Sequence, residues 1–160
     1  MSKKIILITG GAGFIGSNFL SKYVLDFPEV RFVNIDALTY AGNIEKISLD
    51  ARNAPNYAFE KADIRDIDTM RSIYQKYSPT DIIHFAAESH VDNSIRNPRL
   101  FTEVNVLGTQ NLLDLHLEFS MNRFHYISTD EVYGDIPESG FFTEETHIEP
   151  SSPYSASKAG

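Results

Sequence analysis

Ile5-Ile6-Leu7-Ile8-Thr9-Gly10-Gly11-Ala12-Gly13-Phe14-Ile15-Gly16 is the stretch on which the reading of this chain turns. Its first four residues have the length and β-branched content of a buried strand. After the glycines comes Ser17-Asn18-Phe19-Leu20-Ser21-Lys22-Tyr23-Val24-Leu25, in which Ile15, Phe19 and Tyr23 share one helical face. Strand, glycine-rich turn and helix opening in that order make an anion site, because backbone N–H groups and the helix dipole point at the ligand. Two registers fit, Gly11-x-Gly13-x-x-Gly16 and Gly10-x-x-Gly13-x-x-Gly16. No Lys-Ser/Thr pair follows Gly16, which disfavours a nucleoside-triphosphate loop. The same glycines would also serve a plain strand-to-helix turn, so the rest of the chain has to decide.

Arg31 to Asp36 reads as a second strand ending in an acid. Asp36 stands 20 positions past Gly16, where a dinucleotide fold places a carboxylate against the adenosine ribose. A carboxylate there repels a 2′-phosphate and argues for NAD over NADP. A short helix is expected over 44–49, a turn over 52–56, a third strand over 57–63, and a helix from Asp66 with Ile67, Met70 and Tyr74 on one face. Asp81 to Ala87 is a fourth strand, followed by a small and polar run to Asp92 and a break at Asn97-Pro98. A long helix then carries Phe101, Val104, Gly108, Leu112, Leu115 and Phe119 along one face, with Leu107 and Leu113 widening the apolar surface. That breadth suits packing on the sheet and on a partner subunit, or double-sided burial within one chain. Arg123 to Ser128 is a fifth strand. The alternation predicts an α/β fold with a parallel, doubly wound (Rossmann-like) sheet ordered 3-2-1-4-5, and ligands beyond the strands' carboxyl ends, where strands 1 and 4 part. Asp36, Asp63, Ala86-Ala87 and Ser128-Thr129 all fall at those ends.

A length of 160 residues suits one domain. Net charge is -8, from 22 acidic and 14 basic residues, without a basic stripe, which excludes nucleic acid and anionic membrane as natural partners. The absence of cysteine removes disulfide and thiolate chemistry. Met1-Ser2-Lys3-Lys4 is basic, but the apolar run behind it is too short for a signal peptide or a membrane span, so a cytoplasmic location is expected. His84, His90, His116, His125 and His147 are scattered, and no metal-ligand spacing appears.

Ser128-Thr129-Asp130-Glu131 leaves strand five with a hydroxyl and two carboxyl groups. Pro153 suits the first position of a helix on which Tyr154 and Lys158 share a face. An ammonium beside a phenol lowers its pKa and makes the tyrosine a usable base, which beside NAD permits hydride transfer from an alcohol carbon.

Thr9 to Gly16, the helix holding Asn105, Ser128-Thr129 and Tyr154-x-x-x-Lys158 resemble the extended short-chain dehydrogenases/reductases that modify nucleotide sugars. More narrowly, residues 36–43, 84–92 and 128–134 resemble the dTDP-glucose 4,6-dehydratases, and the resemblance covers the whole chain. The Thr-Asp-Glu triplet is its specific part, since related epimerases lack the acid pair. The resemblance implies that Gly10, Gly13, Phe14, Ile15 and Gly16 line the pyrophosphate of NAD. It implies that Asp36, Ala37, Leu38 and Thr39 hold the adenosine ribose and that Asp63 and Ile64 meet the adenine. Phe85, Ala86, Ala87, Glu88, Ser89 and Val104 would border the nicotinamide side; the family often has Thr where Val104 stands, and this chain departs from its polar contact. Ser89 and Thr129 would touch the hexose of dTDP-glucose, and Lys158 a ribose hydroxyl. Tyr154 would take the C4 hydroxyl proton, Glu131 the C5 proton, and Asp130 would protonate the departing C6 hydroxyl, with one carboxyl group of the pair protonated and the other ionised.

The same resemblance implies a homodimer through the 99–119 helix and the helix near 153. It also marks the chain as the N-terminal portion of such an enzyme, incomplete at Gly160, lacking the substrate domain and poorly active alone. Another epimerase or dehydratase of the superfamily, or a non-catalytic NAD-binding module, are the alternatives.

Overall fold

In the computed structural model, residues 4–135 and 140–160 are described; Met1, Ser2 and Lys3 of the basic N-terminus lie outside them. Five parallel strands, β1 (Ile5–Thr9), β2 (Arg31–Asp36), β3 (Tyr57–Lys61), β4 (Asp81–His84) and β5 (Arg123–Tyr126), lie in the order β3-β2-β1-β4-β5. This is the expected doubly wound order. Leu7, Ile8 and Thr9 of the central strand are fully buried, as a strand covered on both faces requires. Contacts group into two compact units. The first runs to Ala86 and takes in Gln110–Ile127; the second comprises Ala87–Thr109 and Ser128–Gly160.

The first unit holds the whole sheet. Helix α1 (Phe14–Asp26) buries Gly16, Ser17, Leu20 and Val24, not the Ile15-Phe19-Tyr23 face; Ile15 is 60% exposed. Its two small residues set that rotation. A Cβ on Gly16 would stand 2.5 Å from the Gly10 carbonyl oxygen, so the helix rests directly on the glycine loop. Phe19 and Tyr23 still pack at the edge of the core, their ring centroids 4.5 Å apart. The helix expected over 44–49 divides into a 3-10 turn (Ile44–Lys46) and α2 (Leu49–Asn53), which absorbs part of the expected turn. Two caps cause the division, since Asn43 accepts from the Glu45 N–H and Ser48 from the Ala51 N–H. Helix α3 (Ile67–Tyr77) is capped by Asp66 as expected, and buries Met70, Ile73 and Tyr74. Among the described residues β5 pairs with β4 alone, and Arg123 and His125 stand exposed on it, charges and polarity that suit an edge strand.

In the second unit, α4 (Val91–Arg96) runs from the end of the small and polar stretch to the Asn97-Pro98 break, and Pro98 opens α5 (Pro98–Phe101) at its first turn. The chain stays helical through a π-helical segment, Thr102–Gly108, into α6 (Thr109–Glu118). The buried positions are Phe101, Asn105, Gly108, Leu112 and Leu115, so the face takes Asn105, four residues past Phe101, in place of Val104 at three, and keeps helical spacing. Leu107 and Leu113 are exposed, and Leu117 joins them. A 3-10 turn, Asp130–Tyr133, and α7 (Pro153–Ala159) complete the unit.

Candidate active site

In the first unit the glycines of the loop differ in what confines them. Gly10 has φ +72°, and a Cβ there would stand 2.5 Å from the Ala86 nitrogen and 2.6 Å from its Cα. Gly11 instead packs on the Asn34 side chain and Leu20. A Cβ on Gly13 would meet the Gly10 carbonyl oxygen at 3.2 Å and otherwise open space. Gly10, Gly13 and Gly16 thus supply a turn, an open face and a packed helix start. Helix α1 has no side-chain cap and no acid in its first turn, and Phe14 and Ile15 are exposed there. Its first N–H groups are available to an anion.

Asp36 is buried at the end of β2. Its carboxylate accepts from the Ala12 N–H (2.9 Å) and the Leu38 N–H (2.8 Å), and the Asn43 N–H donates to the Ala12 carbonyl (3.0 Å). One acid thus joins the anion loop to the 36–43 loop, which includes Ala37 and Thr39, with a free lone pair left on each oxygen for a ribose hydroxyl. Asp63 follows β3, and its carboxyl group lies below the usual range because Arg65 bonds it at 2.6 Å. Ile64 beside it is buried, and its carbonyl accepts from Asn111. At the end of β4, the Phe85 N–H donates to the Thr9 carbonyl and the Phe85 ring packs on Phe19 at 5.5 Å. The Ala86 N–H reaches the Thr9 hydroxyl, which lies 2.6 Å from His84 Nδ1. Backbone, not the Phe85 ring, lines the approach to Gly10. An uncapped helix start, an open Gly13 and a buried Asp36 at a strand's carboxyl end fit a dinucleotide.

The second unit assembles the chemical groups. Tyr154 is buried on α7, its ring edge against Phe101, and it hydrogen-bonds Thr129. Thr129 caps the Asp130–Tyr133 turn by accepting from the Glu131 N–H (3.3 Å), and both acids are exposed on that turn. Burial pushes the Tyr154 phenol above its ordinary value; the Thr129 hydrogen bond opposes this, and the charges of Glu131 and Asp130 add to it. The expected lowering by Lys158 is not what the structure has, because burial of the phenol dominates; Lys158 is itself buried and pushed down to about 8. Ser89 is exposed and Val104 half-buried, while Glu88 is buried beside Ala87.

Asn105, on the π-helical segment, has a positioning role that its place in an amphipathic pattern hid. Its amide accepts from the Glu88 N–H (2.8 Å) and donates to the Glu88 carbonyl (2.8 Å) and to the Ser157 hydroxyl (2.8 Å), which donates to the Tyr154 carbonyl (2.7 Å). A buried amide satisfied on both sides ties the 88–89 backbone to α7. A polar residue next to an expected core position was the available signal.

Lys158 makes stability depend on pH. Between its folded value of about 8 and its ordinary 10.5, the unfolded chain holds a proton that the folded chain lacks, so stability rises with pH across that window. Lys158→Met should be more stable than the parent at pH 7, by up to about 3 kcal/mol, and the difference should shrink above pH 8 and vanish only above about pH 11. Denaturant midpoints for both proteins across that range measure it.

The family model described as GDP-mannose 4,6 dehydratase matches residues 7–160. The dTDP-glucose 4,6-dehydratase of Shigella flexneri is 46% identical over 172 residues, an overlap spanning 96% of this chain and 47% of that protein. Among solved structures, DesIV, a dTDP-glucose 4,6-dehydratase of Streptomyces venezuelae with NAD and TYD bound, superimposes with a TM-score of 0.89 at 45% identity, over 98% of this chain and 48% of that one. A UDP-glucose 4-epimerase of Thermus thermophilus in complex with NAD gives 0.84 at 32% identity, over 97% and 47%. The chain spans about half the length of the curated relatives it matches. With nearly all of its residues inside that family model, the chain belongs to the GDP-mannose 4,6 dehydratase family.

Proposed function

We propose that this chain carries the NAD-binding and acid–base groups of a nucleotide-sugar 4,6-dehydratase, a lyase that converts dTDP-glucose to dTDP-4-keto-6-deoxyglucose. The observation that carries the reading is the gathering of Thr129, Asp130 and Glu131 around the Tyr154 phenol. When bound, NAD supplies a two-electron acceptor that takes a hydride from the sugar and later returns it. Gly10, Gly13, Gly16 and the N–H groups of Phe14 and Ile15 would hold its pyrophosphate, and Asp36 with Leu38 and Thr39 its adenosine ribose. Asp63 and Ile64 would meet the adenine; Phe85, Ala86, Ala87, Glu88, Ser89 and Val104 would border the nicotinamide side, and Lys158 would hold a ribose hydroxyl.

Tyr154 removes the proton of the C4 hydroxyl, steadied by the Thr129 hydrogen bond. The resulting 4-ketone acidifies the C5 proton, which Glu131 takes while Asp130 protonates the departing C6 hydroxyl. Ser89 and Thr129 contact the hexose. An epimerase needs only the first of these steps, so the acid pair is what favours dehydration. The exposed leucines of the helical stretch from Pro98 to Glu118 suit a homodimer. No helix among the described residues is long and apolar enough to cross a membrane, and a cytoplasmic site of action goes with the substrate.

Incubating the full gene product that contains this segment with dTDP-glucose in deuterium oxide tests the reading. A 6-deoxy-4-keto product with deuterium at C5 is expected. Inversion at C4 without loss of water would replace dehydration by epimerisation, and NAD binding with no turnover would leave a binding module. UDP-glucose run beside dTDP-glucose reads the nucleotide preference.

A further inference from the structure

Within the second unit, the turn that bears Asp130 and Glu131 is crossed by a later part of the chain. The Glu149 N–H donates to the Val132 carbonyl (2.9 Å), and the Gly134 N–H closes the turn on the Glu131 carbonyl (3.2 Å). Gly134 has φ +83° and ψ -150°, a region open in practice to glycine alone. A Cβ there would stand 2.5 Å from the Glu149 carbonyl oxygen, so the crossing chain lies directly on Gly134. The Phe142 ring, reached before the chain returns at Glu149, packs on Tyr133 with centroids 5.2 Å apart. Val132, between these contacts, is buried. Strained backbone at a functional turn persists only when its surroundings over-determine it, and here three contacts do so.

We propose that this crossing is a positioning clasp, in which Gly134, Phe142 and the Glu149 backbone fix the acid pair for the elimination of water and are not required for the oxidation at C4. The proposal rests on the dehydratase reading above. In the elimination, the C5–H bond gives its proton to Glu131 and its electron pair becomes the C5–C6 double bond. The C6–O bond breaks, and the hydroxyl leaves as water on the proton that Asp130 gives up; the proton that Tyr154 took from the C4 hydroxyl restores Asp130 through solvent. Both acids are exposed on their turn, so their aim depends on its backbone. Thr129 caps the turn and also bonds the Tyr154 phenol, but Tyr154 has further supports of its own: the Ser152–Ser155 capping box of α7, the Phe101 ring and the Asn105–Ser157 bond. The two chemical steps therefore share Thr129 and otherwise have separate supports.

The test uses the full gene product loaded with NAD, as parent, Gly134→Ala and Phe142→Ala, in single turnovers of dTDP-glucose. Nicotinamide absorbance reads the oxidation, and the mass of the quenched nucleotide sugar reads the loss of water. Oxidation should stay within about twofold of the parent. Elimination should slow about 100-fold in Gly134→Ala, the effect of a misplacement of about 1 Å, and about tenfold in Phe142→Ala, the size of one aromatic pair. A 4-keto sugar that keeps its C6 hydroxyl should accumulate, and proteolysis within 140–149 should quicken in both variants without substrate. Equal slowing of both steps in Phe142→Ala, or elimination at the parent rate, overturns the clasp; Phe142→Ala decides alone if Gly134→Ala does not fold. A parent that oxidises the sugar and never releases water overturns the dehydratase reading itself.

Discussion

Replacing Tyr154 by phenylalanine should lower turnover by about 10³-fold while NAD affinity changes by less than about threefold. The ring's packing against Phe101 survives the substitution, and only the hydroxyl and its bond to Thr129 are lost. A net cost in stability of about 1 kcal/mol is the scale of that one bond. The structure places the phenol in a demanding setting, since burial and the Glu131 and Asp130 charges all favour its neutral form. A phenol held up in this way is a poor base in the resting protein, and a positive charge brought beside it would lower its pKa. Single-turnover kinetics on the full gene product, with a separate titration of NAD, measure the two quantities. Turnover within about tenfold of the parent would assign the C4 proton to another group.

The second large effect is expected in the glycine loop, where two substitutions of the same size should fail in different ways. Gly10→Ala would force a residue with φ +72° to carry a Cβ 2.5 Å from the Ala86 backbone nitrogen. The clash is with backbone on the neighbouring strand's end, so no side chain can turn aside to relieve it. Strain of that kind and the overpacking together should cost about 3 kcal/mol or more, read as a fall in the denaturant midpoint. Gly13→Ala meets little protein, the Gly10 carbonyl oxygen at 3.2 Å, and sits at an ordinary extended N-cap conformation. Its stability should fall by no more than about 1 kcal/mol. Its Cβ would, however, occupy the face from which α1 offers its N–H groups, and NAD affinity should drop about 100-fold or more. Gly13→Ala binding NAD as tightly as the parent would move the pyrophosphate away from this loop.

Much of the first unit was legible because its signals are local or periodic. The apolar run before Gly10, the acid 20 residues past Gly16 and the strand–helix alternation each depend on a short window of sequence. Right-handed crossovers leave few ways to order such strands, and the order 3-2-1-4-5 follows. The nearness of Tyr154 to the acid pair was legible differently, through residue types at spacings that a familiar family shares. NAD as the cofactor rests on the same pattern, and the clasp could not have been read from it at all.

What sequence alone determined here is the parallel sheet and its order, and it marked the glycine turn and the Thr129, Asp130, Glu131 and Tyr154 groups as the ones to test. Tertiary structure decided what confines each glycine of the loop, because the atom that forbids a side chain on Gly10 belongs to Ala86, far along the chain. It decided that α1 turns Gly16 and Ser17 inward and that the later helical stretch buries Asn105 in place of Val104, since a periodic pattern fits more than one neighbouring choice of face. It reversed the direction of the Tyr154 shift, because desolvation depends on what surrounds a group in space and not on its neighbours in sequence. Thr9 to Gly16 can be read by eye; that its open face lies at Gly13 required the fold around it.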